Sequence, residues 1–134
     1  MSITLEKLLK KAYKTGESNK NGRMMFYGNG YSEKGELREQ WHVIDEDGKF
    51  ELRHWGTVIL ATDNGVVKTI YGQSNSDRDA LNQVFEWLNM PYHAHYYPSM
   101  DELEVHVNGS DDLVVKIWYK KLLTRQENNV IIIT

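Results

Sequence analysis

The sequence predicts an α+β fold, in which a mainly antiparallel, twisted sheet of about five to seven strands packs with two amphipathic helices. Apolar residues recur with a helical period in two segments and with a period of two in most of the others. The pairs Asp47-Gly48 and Asn64-Gly65 are typical of tight hairpins, so successive strands should be antiparallel neighbours. A chain of 134 residues fits a single domain, 1–134.

The first helix is predicted over about residues 3–15, as an arm that either stands apart or packs on the sheet. Its apolar face follows the spacing i, i+3, i+4, i+7 and i+8. The residues on that face are Leu5, Leu8, Leu9, Ala12 and Tyr13. Gly16 can end the helix in a left-handed turn. The segment 17–22 is rich in Asn, Ser and Gly, and we interpret it as a polar loop.

The middle of the chain is predicted to form short strands. The predicted strands are 24–27, 40–44, 49–55, 57–62 and 66–71. A second helix follows over about 77–88, with Ser76 as its N-cap and Pro91 beyond its end. The last third returns to a period of two, which predicts strands at 103–107, 113–119 and 130–133. The segment 120–127 is left open between a helical turn and a loop.

Composition and charge exclude several classes of protein. The net charge of −3 is too small to indicate a strongly basic nucleic-acid binder or a densely acidic DNA mimic. The chain has no cysteine, which excludes disulfides and thiolate metal sites. No signal peptide and no apolar run long enough to span a membrane is seen. These features predict a cytoplasmic protein without a membrane partner.

No catalytic or cofactor motif is specific, so we expect neither an enzyme nor a bound cofactor. A small metal-dependent hydrolase remains an alternative hypothesis. His93 and His95 would share one face of a strand, and His106 or Asp101 would supply a third ligand. The helical His-Glu-x-x-His pattern does not occur, and we expect no metal.

The segment 91–98 carries three tyrosines and two histidines between two prolines. Tyrosine combines apolar area with a hydroxyl and is enriched at protein interfaces. We therefore predict that a protein partner is bound by Tyr92, His93, His95, Tyr96 and Tyr97. The alternative is that alternate rings fill the core. Trp55 and Trp118 lie opposite the aliphatic rows of their strands and are predicted to join the same partner surface.

A single-stranded nucleic-acid-binding module is the second alternative. Aromatic side chains on a sheet can stack bases, and lysines can track phosphates. The basic residues in question form one group on the first helix and another near the end of the chain. They are Lys7, Lys10, Lys11, Lys14, Lys116, Lys120, Lys121 and Arg125. A lysine-rich helix face is more often only solvated.

The middle quarter of the chain carries a resemblance to a known family. Arg-His-Trp-Gly-Thr-Val-Ile-Leu at 53–60 is followed by Ile-Tyr-Gly-Gln-Ser-Asn-Ser-Asp-Arg-Asp-Ala-Leu-Asn at 70–82. This combination resembles a small domain of unknown function found in accessory proteins of phages and mobile elements of Gram-positive bacteria. The resemblance implies a phage protein acting inside a bacterial host cell, and it carries over no functional residue.

We therefore expect a non-enzymatic, phage-type accessory protein that binds and inhibits a bacterial host or defence protein, as anti-CRISPR proteins do. That step follows from the resemblance and from context. The apolar segment 130–133 also suggests a homodimer through pairing of edge strands, although the same residues could belong to the core.

Overall fold

The structure is a computed structural model, and it describes residues 2–24, 36–110, 112–118 and 129–132. Within these residues the fold is α+β, as predicted, with antiparallel strands and two helices. The strands form two sheets rather than one, with the orders β1-β2-β3-β4-β5 and β6-β7-β8-β9. The elements are α1 (Ile3–Thr15), β1 (Glu17–Met24), β2 (Glu36–Glu46), β3 (Lys49–His54), β4 (Thr57–Asp63), β5 (Val66–Ile70), α2 (Asn75–Trp87), β6 (Tyr92–Tyr97), β7 (Glu102–Val107), β8 (Leu113–Trp118) and β9 (Asn129–Ile132).

Contacts group the chain into two compact units, which we describe separately. The N-terminal unit is Ile3–Thr69, and the C-terminal unit combines Met1–Ser2 with Ile70–Thr134. The single-domain interpretation stays a prediction. No helix among the described residues is long and apolar enough to cross a membrane.

In the N-terminal unit, α1 packs on β1 and β2. Its buried residues are those predicted, with the exception of Tyr13, whose side chain is 72% exposed. The prediction for Tyr13 was therefore wrong. Gly16 ends the helix with φ of 95°, a left-handed value that glycine adopts without strain. The buried Ser18 hydroxyl donates to the Leu8 carbonyl at 2.6 Å and so ties β1 to the helix.

The segment 17–22 is a strand, and its interpretation as a polar loop was wrong. β1 pairs antiparallel with β2 from Glu17↔Ile44 to Met24↔Glu36, with an irregularity between Lys20 and Asn21. Apart from Ser18, the described side chains of residues 17–23 are exposed or half-buried. Such a strand is held by backbone hydrogen bonds, so its side chains leave no apolar alternation in the sequence.

Tight turns connect the consecutive strands from β2 to β5. Both central residues of each turn have positive φ, as a type I′ hairpin requires: Asp47-Gly48, Trp55-Gly56 and Asn64-Gly65. Two of these turns were predicted. Trp55 was placed at the end of a strand, whereas β3 ends at His54 and Trp55 lies in the turn.

In the C-terminal unit, α2 begins at Asn75 and its N-cap is Ser74, not Ser76 as predicted. The Ser74 hydroxyl accepts a hydrogen bond from the Asp77 amide at 3.0 Å. The buried Asp77 carboxylate in turn accepts from the Gln73 amide at 2.9 Å. A serine followed three residues later by an acid is the sequence signature of this reciprocal cap.

The C-terminal end of α2 is closed by a Schellman motif. Asn89, with φ of 55°, donates its amide to the Glu86 carbonyl at 3.1 Å, and the Met90 amide donates to the Phe85 carbonyl at 2.8 Å. Asparagine is one of the few residues that adopt this backbone region readily. The chain therefore turns sharply at 88–90 and enters β6.

A single side chain joins α2 to the edge strand β6. The Asn82 amide nitrogen donates to the Ala94 carbonyl at 3.1 Å, and its amide oxygen accepts from the Ala94 amide at 2.6 Å. Both backbone groups of Ala94 are therefore occupied on the side of β6 away from β7. An unpaired edge strand invites pairing with other chains, and this contact blocks that at the middle of β6.

In the second sheet, β6 pairs regularly with β7 from Tyr92↔Val107 to Tyr97↔Glu102, whereas the pairing of β7 with β8 has an irregularity between Val105 and His106. The predicted final strand is present as β9, which pairs with β8. The predicted homodimer stays a prediction. The remainder of the predicted strand 24–27 beyond Met24, and the segment 120–127, lie outside the described residues.

The Asn82 contact makes a test of the fold. We expect Asn82→Ala to lower the free energy of unfolding by about 2–3 kcal/mol, since it leaves two partly buried backbone groups of Ala94 without a partner. Urea denaturation measures this. Asn75→Ala, at an exposed asparagine of the same helix, should stay within about 0.5 kcal/mol of the original protein. Equal effects of the two substitutions would contradict the role given to Asn82.

Candidate functional site

Strand β6 divides the tyrosine-histidine segment between two faces of the second sheet. Successive side chains of a strand point to opposite sides. Tyr92, Ala94 and Tyr96 lie on the side packed by α2, where Ala94 is buried and the Tyr92 ring meets Phe85 edge-on at 5.7 Å. The other three residues of β6, at 93, 95 and 97, lie on the opposite side. The predicted partner surface is thus only partly brought together.

We call that opposite side the histidine face: His93, His95, Tyr97, Glu102, Glu104, His106 and Lys116. His93 lies directly across from His106 in the strand register. The ring centroids of His93 and His95 are 4.9 Å apart, and His106 lies 5.8 Å from His93 and 5.9 Å from His95. The sequence had already placed His93 and His95 on one side and had named His106 as a neighbour.

Hydrogen bonds orient two of the three imidazoles. His93 Nδ1 donates to Asn108 Oδ1 at 2.9 Å, and His106 Nε2 donates to Glu104 Oε1 at 2.9 Å. Asn108 also donates its amide to the Pro91 carbonyl at 2.8 Å, which holds the turn after β7 against the start of β6. The rings are therefore positioned by the turn and by the neighbouring strand.

Two carboxyl groups share one ammonium group as their counterion beside the histidines. Lys116 Nζ lies 3.6 Å from Glu102 Oε1 and 4.0 Å from Glu104 Oε2. Burial raises the pKa of Glu102, whose side chain is almost fully covered. Burial would also raise the pKa of Glu104, but hydrogen bonds from Glu102 and His106 outweigh it and the pKa is lowered. Burial and these contacts therefore shift the pKa values of the two carboxyl groups in opposite directions.

His95 is the exposed member of the three histidines. Partial burial of its ring, and then the charges of His93 and His106, lower its pKa from the ordinary value of 6.5. Arg78 of α2 acts in the same direction, and Glu104 opposes it. The neutral form of the His95 imidazole is thus favoured relative to that of a free histidine.

Tyr96, by contrast, has a structural role on the helix-covered side. Its hydroxyl donates to Asp101 Oδ1 at 2.8 Å and so braces the turn between β6 and β7. Partial burial, followed by the hydrogen bond and charge of Asp101, raises the pKa of Tyr96 to about 12. Tyr97 is 38% exposed on the histidine face, and its ring centroid lies 6.4 Å from that of His95.

An open groove of about 560 Å³ adjoins the histidine face. Glu86, Asn89 and Met90 form the wall at the end of α2, whereas Tyr92 and His93 form the wall on β6. Asn108 closes one end. His93 belongs to both the groove and the histidine face, so the two surfaces are continuous.

The hydrolase alternative requires a metal site. Among the described residues, no group of three or more histidine or acidic side chains is arranged to hold a metal ion. His93 and His106 each have one ring nitrogen committed to a neighbouring oxygen. Asp101 accepts from Tyr96 instead of turning toward the histidines.

The two tryptophans of the predicted surface are placed differently. In the N-terminal unit, buried Trp41 stacks on His54 with centroids 4.0 Å apart, and Trp55 lies 5.8 Å from His54. Trp55 is half-buried and has φ of 52°, which few aromatic residues adopt. The backbone of Trp118 pairs with Glu102, and its side chain lies outside the described residues.

The predicted basic residues belong to separate parts of the structure. Those of α1 are all exposed in the N-terminal unit: Lys7, Lys10, Lys11 and Lys14. Lys10 forms an exposed ion pair with Glu6 at 3.4 Å. Lys116 of the C-terminal unit faces Glu102 and Glu104, whereas Lys120, Lys121 and Arg125 lie outside the described residues. A combined phosphate-binding track stays a prediction.

No protein-family model, curated protein or solved structure matches this chain.

The histidine cluster predicts a pH dependence of stability. Because the pKa of His95 is lower in the folded state than in the unfolded chain, the unfolded chain takes up more protons as the pH falls below about 6.5. The contribution of His95 to the free energy of unfolding is therefore complete above about pH 6.5 and is lost as the pH falls. We expect His95→Gln to lose less unfolding free energy than the original protein between pH 7 and pH 5. An equal loss of unfolding free energy in the two proteins between pH 7 and pH 5 would contradict the link between stability and protonation of His95.

Trp55 should be dispensable for folding if it serves a partner. We expect Trp55→Asn to change the free energy of unfolding by no more than about 1 kcal/mol, because relief of the left-handed backbone offsets the lost ring contact. Trp41→Ala, at a buried tryptophan of the same unit, should cost about 3–5 kcal/mol. Thermal and urea unfolding measure both variants. A similar loss of unfolding free energy in the two would show that Trp55 contributes to the core.

Proposed function

We propose that this protein acts by binding, as a non-enzymatic module whose histidine face docks a bacterial protein and blocks that protein's activity. The observation that carries the proposal is the cluster of His93, His95 and His106 with Tyr97 beside it. These rings lie on the side of the sheet that α2 leaves uncovered.

The chemistry of the face suits a protein partner. Imidazole and phenol rings offer flat apolar area together with hydrogen-bonding groups, and they have few rotatable bonds to immobilise. Lys116 lies beside both Glu102 and Glu104, so each of these groups has a counterion within the protein. A partner can therefore cover the face without isolating a charge that has no counterion, which would be costly.

The inhibitory role and the phage setting rest on the resemblance of residues 53–60 and 70–82, whereas binding rests on the geometry of β6. The two parts of the proposal are therefore separable. A nucleic-acid ligand is less favoured. Among the described residues of the histidine face, the one lysine or arginine is Lys116, and it lies beside two carboxyl groups.

The test is a tagged pull-down from bacterial lysate, with and without nuclease, read by mass spectrometry. We expect one protein to be retained in both conditions. His95→Ala combined with Tyr97→Ala should lower its retention by about tenfold or more, since aromatic truncation at an interface centre often costs 2 kcal/mol or more. Addition of the chain to the purified partner then measures inhibition directly.

The matched control is Tyr13→Ala, which removes a more exposed tyrosine from α1. Circular dichroism should show that all variants keep the fold. Retention that survives the double substitution, or that is lost equally with Tyr13→Ala, would exclude the histidine face as the docking surface. Broad retention that vanishes with nuclease would favour the nucleic-acid alternative.

A further inference from the structure

The C-terminal end of α2 has an unusual charge arrangement. A helix C-terminus carries a partial negative charge and commonly has a basic residue in its last turn. The last turn of α2 has no basic residue, and it carries the exposed carboxylate of Glu86. The Schellman motif occupies the carbonyls of Phe85 and Glu86, but it supplies no positive charge. The negative end of the helix is thus left without a cation of its own.

This end of the helix forms one wall of the groove. Glu86 is among the groove-lining residues, together with the turn residues Asn89 and Met90. Glu86 therefore lines a concave surface beside the helix terminus, where a cationic group would be attracted by both. The groove is large enough, at about 560 Å³, for a whole side chain and part of its backbone.

The opposite wall is aromatic and held in place. Tyr92 lies against Phe85, which is 1% exposed, with the two rings perpendicular at 5.7 Å. Asn108 anchors the neighbouring turn through its contacts with Pro91 and His93. The groove thus combines a carboxylate and an aromatic ring, whereas the amide oxygens of Asn82 and Asn108 in its lining already accept from Ala94 and His93 and so hold its walls in place.

We infer that this groove binds a guanidinium group, the side chain of an arginine presented by the partner protein. A guanidinium is planar, stacks on aromatic rings and donates two parallel hydrogen bonds to a carboxylate. Lysine supplies the charge without the planar fork, so it fits the same groove less well. That the guanidinium belongs to an arginine of a partner protein rests on the proposed protein-binding function. Binding of a guanidinium group to the groove does not depend on that function.

The probe is N-acetyl-arginine methylamide, titrated into the full ¹⁵N-labelled chain and followed by ¹H–¹⁵N correlation spectra. We expect saturable shifts centred on the amides of Glu86, Asn89, Met90 and Tyr92, with a dissociation constant of roughly 100 mM, because an exposed ion pair contributes little binding free energy. The citrulline analogue keeps the shape but lacks the charge, and it should produce no saturable shift. The lysine analogue should bind more weakly than arginine.

Glu86→Gln should weaken arginine binding by roughly fivefold, because it removes the negative charge of an exposed ion pair. Asp79→Asn is the matched control, as it removes one exposed negative charge from the other end of the same helix and should leave binding unchanged. An absence of saturable shifts with the arginine analogue, or equal affinity in Glu86→Gln, would overturn the inference.

The two proposals fail in distinguishable ways. Saturable arginine binding with an empty pull-down would retain the groove as a guanidinium site and reject the protein-binding function. A retained partner that is insensitive to Glu86→Gln, together with no arginine binding, would retain the function and reject the groove.

Discussion

The contact between Asn82 and Ala94 is the constraint on which the C-terminal unit depends. One side-chain amide satisfies both backbone groups of an edge-strand residue and so acts in place of a neighbouring strand. It fixes α2 beside β6 at Ala94, in the middle of the strand. The groove at the end of the helix and the uncovered position of His93 and His95 both follow from that placement.

Charge is paired differently on the histidine face and at the end of α2. Lys116 lies beside both Glu102 and Glu104, and the charges of His93 and His106 contribute to lowering the pKa of His95. Glu86 has no comparable neighbour in the last turn of α2. If a partner binds as proposed, an aromatic area beside a groove lined by one carboxylate favours a specific orientation of that partner.

Local sequence patterns were sufficient for much of the fold and for part of the site. Both helices, the Asp-Gly and Asn-Gly hairpins and the shared face of His93 and His95 follow from periodicity and turn chemistry. β1 could not be found in this way, because its pairing with β2 relies on backbone groups that all residues share. The role of Asn82 gave no signal either, since its partner is a backbone segment twelve residues away. Ser74 was recoverable, because Asp77 follows it at the spacing of a reciprocal cap.

The alternation along β6 has a consequence for how this protein can diverge. The even positions, Tyr92, Ala94 and Tyr96, face the helix and its supporting contacts, whereas the odd positions, His93, His95 and Tyr97, face outward. If the protein binds a target as proposed, substitutions at the odd positions can accumulate as that target changes, while the even positions preserve the fold. Variants of this protein should differ first in the surface that they present and last in the architecture that supports it.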